Sequence, residues 1–309
     1  MDDDNDNSSY LVRSVGLRGS LDYRAYISFN GHAISALHDV PLVSGAANSS
    51  PSSAALEPTA SQDLTLNMVV ECPRWTSARM VLATAEPLAP IKHATRTRGS
   101  ARGTSPVYVR NIFPHRGFIW NYGVLPQTWY DQAPIHACEI GERVADIGDV
   151  RRVRVLGILA PRDERSLQWT VLVIDTTDPL SDRLQTVADI DRVCPGTIAA
   201  TKEWFRLYKL PDGKPENTFD LRGEVRDADF AREVVREAHA AWRDAVTSRT
   251  SAGMRVDLTN VTIQNSPGLL RIKEADENAA FVVARSGTGE ALPDPVSADK
   301  WWHIGSRYG

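Results

Sequence analysis

The stretch YRAYISFNGHAISALHD, which runs from Tyr23 to Asp39, carries the clearest fold signal in this sequence. Apolar and polar residues alternate on both sides of the pair Asn30-Gly31. Asn-Gly between two alternating runs is typical of a β-hairpin, because both residues readily adopt the positive φ angles that a tight type I′ turn requires. The sequence therefore predicts two antiparallel strands here.

More short strands are predicted on the C-terminal side of this hairpin. The runs LTLNMVVECP (residues 64–73), VRRVRVLGILA (150–160) and LQWTVLVID (167–175) are short, rich in β-branched residues and bounded by a turn or a proline. Helical periodicity appears later, over residues 197–210 and 227–249, and further strand-like runs follow from Thr250. Strands first and helices later favour an α+β fold, mainly β, with a barrel-like core and flanking helices.

Composition and charge restrict the class of partner. The chain has 309 residues, a net charge of −4 and a pI near 6.0, so it offers no electrostatic attraction for nucleic acid or for an acidic membrane surface. No apolar run is long enough to cross a bilayer, and the acidic N-terminus does not resemble a signal or transit peptide. Three widely separated cysteines are typical of reduced thiols. We expect a cytoplasmic protein with no nucleic-acid and no membrane partner.

The chain is predicted to form one domain. Residues 1–22 are predicted to be a flexible acidic N-terminus, and residues 23–309 to form the domain. Within it, the Ser-, Ala- and Pro-rich residues 44–63 lack periodicity and predict a long surface loop. The basic residues 92–104 predict a second, solvated loop.

Five longer motifs follow one another in the order found in a known family. They are MVVECPRWTSARM (68–80), VRNIFPHRGFIWNYGVLPQTW (109–129), RVRVLGILA (152–160), EWFRLYKLPDGKPEN (203–217) and SADKWWHIG (297–305). Together they resemble the eukaryotic, and especially the fungal, branch of the family I soluble inorganic pyrophosphatases. The resemblance implies a five-stranded barrel similar to the oligonucleotide-binding (OB) fold, with flanking helices, extra peripheral strands and a homodimer. Arg74 and Trp75 match positions of that family's dimer contact.

The resemblance also implies a site for several Mg²⁺ ions and for diphosphate. Hard cations need oxygen ligands, and phosphate oxygens are held by cationic and hydroxyl side chains. Glu71, Asp131 and Asp163 match acidic positions of the family. Tyr122, Tyr208 and Lys209 match positions that contact phosphate, and Arg79 stands where the family has a lysine.

Other positions depart from the family pattern. The acidic loop D-x-D-P-I-D of the family reads here Asp131-Gln132-Ala133-Pro134-Ile135-His136, so that the position of the acid that orients the attacking water is Ala133. A further metal-binding acid is replaced by Gln168 and a phosphate-binding lysine by Thr170. Val81 stands at a glutamate position and Val107 at an arginine position.

These departures favour the hypothesis that the cleft has lost efficient diphosphate hydrolysis, binds no metal cofactor, and takes an unidentified, less charged organic ligand in specialised metabolism. Apolar residues are predicted to line it, namely Val81, Val107, Phe118, Trp120 and Ala133. An acid–base set is predicted from His136 as proton shuttle with Glu71, Tyr122, Asp131, Tyr208 and Lys209. Further ligand contacts are predicted from Arg79, Asp163, Gln168 and Thr170. A cyclisation, isomerisation or elimination would suit such a cleft.

Two alternatives stay open at this stage. In the first alternative, the protein is a non-catalytic binding or regulatory partner. In the second, it is a weak Mg²⁺-dependent inorganic pyrophosphatase in which Asp131 and Asp163 retain metal-binding capacity. Structural roles also compete with functional ones. His136 can be a hydrogen-bonded structural imidazole, and Tyr208 and Lys209 can be packing residues of a helix-to-turn element.

Overall fold

The computed structural model describes residues 10–45, 65–97, 104–163, 166–248, 255–283, 295–296 and 298–304. The strands are β1 (Tyr10–Val15), β2 (Arg24–Phe29), β3 (His32–Ile34), β4 (Thr65–Cys72), β5 (Met80–Leu82), β6 (Ile91–His93), β7 (Thr95–Thr97), β8 (Thr104–Pro106), β9 (Asn111–Ile112), β10 (Asn121–Val124), β11 (His136–Glu139), β12 (Val150–Leu159), β13 (Pro161–Arg162), β14 (Thr170–Asp175), β15 (Thr218–Phe219), β16 (Arg226–Asp227) and β17 (Trp301–Trp302). The helices are α1 (Val187–Val193), α2 (Thr197–Leu207), α3 (Ala228–Thr247) and α4 (Ile272–Val283), with short 3₁₀ turns at Leu210–Asp212 and Leu221–Gly223.

The centre of the fold is a closed barrel of five strands in the order β14-β11-β10-β4-β12, because β12 also pairs with β14. Only the β11–β14 pair is parallel, with His136 opposite Thr170. Gly123 permits the close approach of β10 to β4, since a β-carbon there would collide with the carbonyl oxygen of Val69. The predicted fold class is confirmed: α+β and mainly β, with an OB-fold-like barrel, flanking helices and peripheral strands.

A second sheet, in the order β1-β2-β6-β5 with β3 on β2, contains the predicted hairpin. Asn30 and Gly31 have φ angles of 52° and 86°, as the tight turn requires. The prediction that residues 1–22 are flexible is wrong for β1, which pairs along its whole length with β2, and the Tyr10 ring packs on Phe29. Residues 1–9 lie outside the described residues.

The helices confirm two predictions and correct one. α2 and α3 occupy the predicted segments, and α3 buries the face that carries Trp242, whose indole Nε1 donates a hydrogen bond to His38 Nδ1 at 2.9 Å. The strand-like reading of the C-terminal region is wrong for residues 272–283, which form α4. Ala275 and Ala279 of this helix are buried, so small side chains let the helix lie close to the sheet. No helix in the described ranges is long and apolar enough to cross a bilayer.

The two predicted loops are only partly described. Ser44 and Gly45 form a turn, and the rest of the predicted loop 44–63 lies outside the described residues. The Ser44 N–H donates to the carbonyl oxygen of Thr65 at 2.9 Å, so the two described ends of this segment meet at the start of β4. The basic segment 92–104 contains β7, which pairs with β8 as a hairpin, although a solvated loop was predicted there.

Candidate active site

A cluster of cationic and aromatic side chains lies at one end of the barrel. Arg79, directly before β5, faces Tyr122 of β10 and Tyr208, the residue after α2. Burial lowers the pKa of Arg79, but the facing Tyr208, Tyr122 and Glu71 more than offset this effect and raise it. The Tyr208 ring stacks on Trp204 at 4.7 Å between centroids, and the Tyr122 ring stacks on Phe118 at 5.6 Å. The hydroxyls and the guanidinium are therefore held by packed aromatic neighbours.

Glu71 lies at the buried end of this cluster. Its side chain is 3% exposed, and its Oε1 accepts a hydrogen bond from the Leu82 N–H at 2.6 Å. Burial raises the pKa of Glu71 from 4.5 to about 7, although the hydrogen bond and the Arg79 charge oppose the rise. Glu71 is thus a carboxyl group that exchanges its proton near neutral pH.

Lys209 and Asp163 connect this cluster to the acidic-loop positions. Lys209 Nζ lies 2.8 Å from Asp163 Oδ2, with only 16% and 20% of the two side chains exposed. The same carboxylate accepts hydrogen bonds from the Gln168 amide at 3.3 Å and from the Ser166 backbone N–H at 3.1 Å. Asp163 therefore already has neighbours that satisfy both carboxylate oxygens.

A small pocket brings together the positions at which the family has its metal-binding acids. Asp131, Ala133, His136 and Gln168 all line it, and its volume is about 50 Å³. Asp131 is exposed and adopts a φ of 43°. A water molecule occupies about 30 Å³ in the liquid, so this pocket accommodates water but no organic molecule of ordinary size.

His136 stands where this pocket meets the aromatic cluster. Its ring stacks on Tyr122 with centroids 5.2 Å apart and an angle of 19°. Burial and the nearby Arg79 charge lower the pKa of His136 to about 4, against a hydrogen bond to the Gly123 backbone. The imidazole is therefore neutral at pH 7, and its buried Nδ1 has no hydrogen-bond partner within the described structure. A proton shuttle requires a pKa near the working pH, so this environment does not suit the predicted role.

Several residues predicted to line the cleft are instead core residues. Phe118 and Trp120 are 3% and 1% exposed, and the Trp120 indole donates to Thr201 Oγ1 at 2.8 Å. Thr170 is 0% exposed within β14. Val81 and Val107 are half-buried beside Arg79, whose N–H donates to the Val107 carbonyl oxygen at 3.0 Å. Phe118, Trp120 and Thr170 are therefore covered by their neighbours, whereas Val81 and Val107 keep part of their surface exposed.

Arg96 and Asp212 are site residues that the sequence did not reveal. The Arg96 guanidinium binds the Asp212 carboxylate through both nitrogens, at 3.1 and 2.5 Å. This pair raises the pKa of Arg96, and the like charge of Arg79 opposes the rise, so the two guanidinium groups act on one another. The basic segment 92–104 and the acid Asp212 of the PDGKP motif are visible in the sequence. Their pairing is not, because only the fold brings the two segments together.

The residues present do not fit a preformed cluster of several magnesium ions. Across the described ranges, no group of three or more His, Cys, Asp or Glu side chains is placed to hold a metal ion. Asp163 is bound to Lys209, and Ala133 and Gln168 offer no carboxylate. They do fit the phosphate groups of a substrate, since Arg79, Lys209, Tyr122 and Tyr208 supply cations and hydroxyl donors.

Comparison with known proteins decides the family. The family model described as inorganic pyrophosphatase matches residues 68–243. The inorganic pyrophosphatase of Neurospora crassa is 41% identical, over 96% of this chain and 98% of that protein. The chain belongs to the inorganic pyrophosphatase family. The solved pyrophosphatase of Schistosoma japonicum is 30% identical, with a TM-score of 0.74 over 96% of this chain and all of that chain. A truncated Trypanosoma cruzi vacuolar soluble pyrophosphatase, solved in complex with PPi, is 31% identical, with a TM-score of 0.65 over 77% of this chain and 91% of that chain.

These relationships overturn the hypothesis of a repurposed enzyme that does not hydrolyse diphosphate. The identity to pyrophosphatases extends over nearly the full length of the chain, and the structural neighbours are pyrophosphatases as well. Pyrophosphatases normally use Mg²⁺, so the expectation that no metal takes part is not confirmed.

The raised pKa of Glu71 predicts a specific dependence of stability on pH. Between pH 4.5 and about 7 the unfolded chain releases this proton while the folded chain keeps it, so stability falls as pH rises through that window. Relative to Glu71→Gln, the wild-type free energy of unfolding should drop by about 3 kcal/mol across it. Urea unfolding of both proteins at the two pH values measures this. A Glu216→Gln control, at a side chain that is 49% exposed, should follow the wild type. Parallel curves for wild type and Glu71→Gln would contradict the assignment.

Proposed function

We propose that this protein hydrolyses inorganic diphosphate as a weak Mg²⁺-dependent pyrophosphatase. The observation that supports it most is the retention of Arg79, Tyr122, Tyr208 and Lys209 as one cluster within a chain that is 41% identical to a pyrophosphatase. Phosphoryl transfer depends mainly on positioning and on stabilisation of negative charge. This cluster provides both.

Each residue of the cluster has a role that follows from its surroundings. Arg79 and Lys209 attract the phosphate oxygens, and the approach of a phosphate competes with Asp163 for Lys209. Tyr122 donates a hydrogen bond from its hydroxyl group, and burial raises the pKa of this group well above the usual value. Tyr208 donates a second from its position on Trp204.

Magnesium enters this proposal as part of the substrate. The cations of the site are largely balanced by Glu71, Asp163 and Asp212, so a diphosphate whose charge is reduced by bound Mg²⁺ suits the site better than the free anion. Turnover is weak because Ala133 provides no carboxylate beside the pocket in which a water fits. General-base assistance contributes about 10²–10⁴-fold to such reactions.

The test is release of inorganic phosphate from magnesium diphosphate. The wild type should release phosphate from magnesium diphosphate. Lys209→Met, purified in the same way, should release no more phosphate than the pyrophosphatase of the expression host that contaminates the preparation. Lys273→Met removes an exposed cation of α4 and should match the wild type. Equal phosphate release by wild type and Lys209→Met would refute the proposal.

The partner in this proposal is a second copy of the chain. Among the described residues, Trp75, Phe113 and Trp301 are the most exposed aromatic side chains, at 56%, 60% and 47%. The rings of Phe113 and Trp301 contact one another, with centroids 6.2 Å apart. The Trp75 backbone N–H donates to the carbonyl oxygen of Phe118, which connects the segment around Trp75 to the segment that follows Phe113. Exposed aromatic patches of this kind mark interaction sites. The three free cysteines support the predicted cytoplasmic location, which belongs to the same proposal.

Replacing Trp75 by Ala should shift this homodimer to monomer. The ring is exposed and the Arg74 guanidinium lies 5.7 Å from its centroid, so truncation removes contact area from the interface and leaves the fold intact. Light scattering behind a sizing column, over a series of concentrations, gives the mass. Leu11→Ala, at a side chain 58% exposed on β1, is the matched control. A monomeric wild type, or a Trp75→Ala protein that stays dimeric, would contradict this prediction.

A further inference from the structure

A large concavity lies on the side of α2 away from the cluster of Arg79 and Tyr208. It is a groove of about 720 Å³ between α1, α2 and the segment from Phe219 to Gly223. Small-molecule sites usually measure about 300–1,000 Å³, so this groove has the size of a ligand site. None of its lining residues belongs to the diphosphate site.

Two of the three cations that line the groove, Lys202 and Arg222, have no acidic partner among the described residues. Lys202, Arg206 and Arg222 line it. No acidic side chain in the described ranges lies within ion-pair distance of Lys202 or Arg222, and Arg206 lies 3.8 Å from an exposed Glu216. Two acids also line the groove: Asp191, and Glu203, whose carboxylate lies 3.0 Å from His115 Nε2. Like charges that share a concave surface attract an anion.

Lys202 lies against the backbone of the turn that carries Arg222. Lys202 Nζ lies 3.6 Å from the point where a β-carbon on Gly223 would stand, next to Arg222 in the chain. Leu221 and Arg222 have φ angles of 54° and 57°, in the left-handed region that such residues rarely adopt. Residues in such a strained conformation occur more often at binding sites than elsewhere.

The remaining surface of the groove is apolar. Phe219 and Ile198 line it and are half-buried, since each also packs against the main core. A ring or chain that lies on them is removed from water, while a charged group reaches the cations. The groove therefore matches an anion that carries an apolar body.

We propose that this groove binds a small organic monophosphate, with the phosphate on Lys202 and Arg222 and a planar apolar group on Phe219. The site is separate from the diphosphate site, so its occupancy does not depend on whether the protein hydrolyses diphosphate. Adenosine monophosphate is a suitable probe because it combines a phosphate with a flat aromatic base.

Titration calorimetry with adenosine monophosphate tests the proposal directly. The wild type should show saturable binding, and the double variant Lys202→Met with Arg222→Met should bind about 100-fold more weakly, about tenfold for each cation. The double variant Arg271→Met with Lys273→Met changes the charge by the same amount at exposed positions of α4 and the residue before it, and should bind like the wild type. Asp191→Asn, at the rim of the groove, removes an opposing charge and should bind at least as tightly.

Two comparisons locate the bound molecule. Lys209→Met and an excess of magnesium diphosphate should leave the binding of adenosine monophosphate unchanged, whereas loss in either case would place the ligand in the diphosphate site and overturn the proposal. Inorganic phosphate should bind about tenfold or more weakly than adenosine monophosphate, because it makes no contact with Phe219. Equal affinities for the two probes, or no binding to the wild type, would also overturn it.

Discussion

Arg79→Met should lower kcat/KM for magnesium diphosphate about 100-fold or more, which is the effect of removing one donor that stabilises developing negative charge. Arg79 is the cation that Tyr122, Tyr208 and Glu71 all face. Its removal takes away the charge and also leaves Glu71 without its nearest compensating cation. Steady-state phosphate release over a range of substrate concentrations measures the change.

Arg79→Lys is the matched control, since the family has a lysine at this position. It should keep activity within about tenfold of the wild type, because the positive charge is retained and only the paired N–H donors of the guanidinium are lost. If Arg79→Met retained full activity, or if Arg79→Lys were as inactive as Arg79→Met, the phosphate-binding role of this residue would be excluded.

Restoring acids around the acidic-loop pocket should create a saturable Mg²⁺ site and raise turnover. The triple variant Ala133→Asp, His136→Asp and Gln168→Asp adds three carboxylates to Asp131 at one pocket. Each metal ligand typically changes affinity or activity about 10–100-fold, so the combined rise should be large. Thr170 is left in place, because it is 0% exposed and a lysine there would bury a cation.

The restored protein also has a readout that does not depend on activity. Four carboxylates at one pocket repel each other without metal, so its melting temperature should fall in chelator and recover with added Mg²⁺. The variant Ala133→Asn with His136→Asn, which keeps Gln168, has polar side chains without charge and should show no such response. A triple variant whose melting temperature ignores Mg²⁺ would mean that these positions do not converge on one ion.

Much of the fold was predictable because its signals are local. The Asn30-Gly31 turn, the strand runs and the helices at residues 197–210 and 227–249 were recognised from short patterns. β1 was missed because its polar residues Arg13 and Ser14 gave no apolar alternation. α4 was missed because its buried face consists of small residues such as Ala275 and Ala279, whose pattern is weak.

The candidate site was less predictable, since it depends on which face of a strand each side chain occupies. Trp120 and Tyr122 are two residues apart, so alternation along β10 predicts similar surroundings for them. Trp120 is nevertheless buried at 1% exposure, whereas Tyr122 faces Arg79. Arg96 and Asp212 are separated by more than a hundred residues and meet only through the fold. The sequence identified which residues had changed, but not the size of the pocket that they line.

The hydrogen bond between Ser44 and Thr65 has a practical consequence for engineering. This bond holds the two ends of the segment together where β4 begins. The number of residues between Ser44 and Thr65 should therefore have little effect on closure of the barrel. A reporter peptide or fluorescent module inserted between Ser44 and Thr65 would add little closure entropy and would leave the strand order untouched.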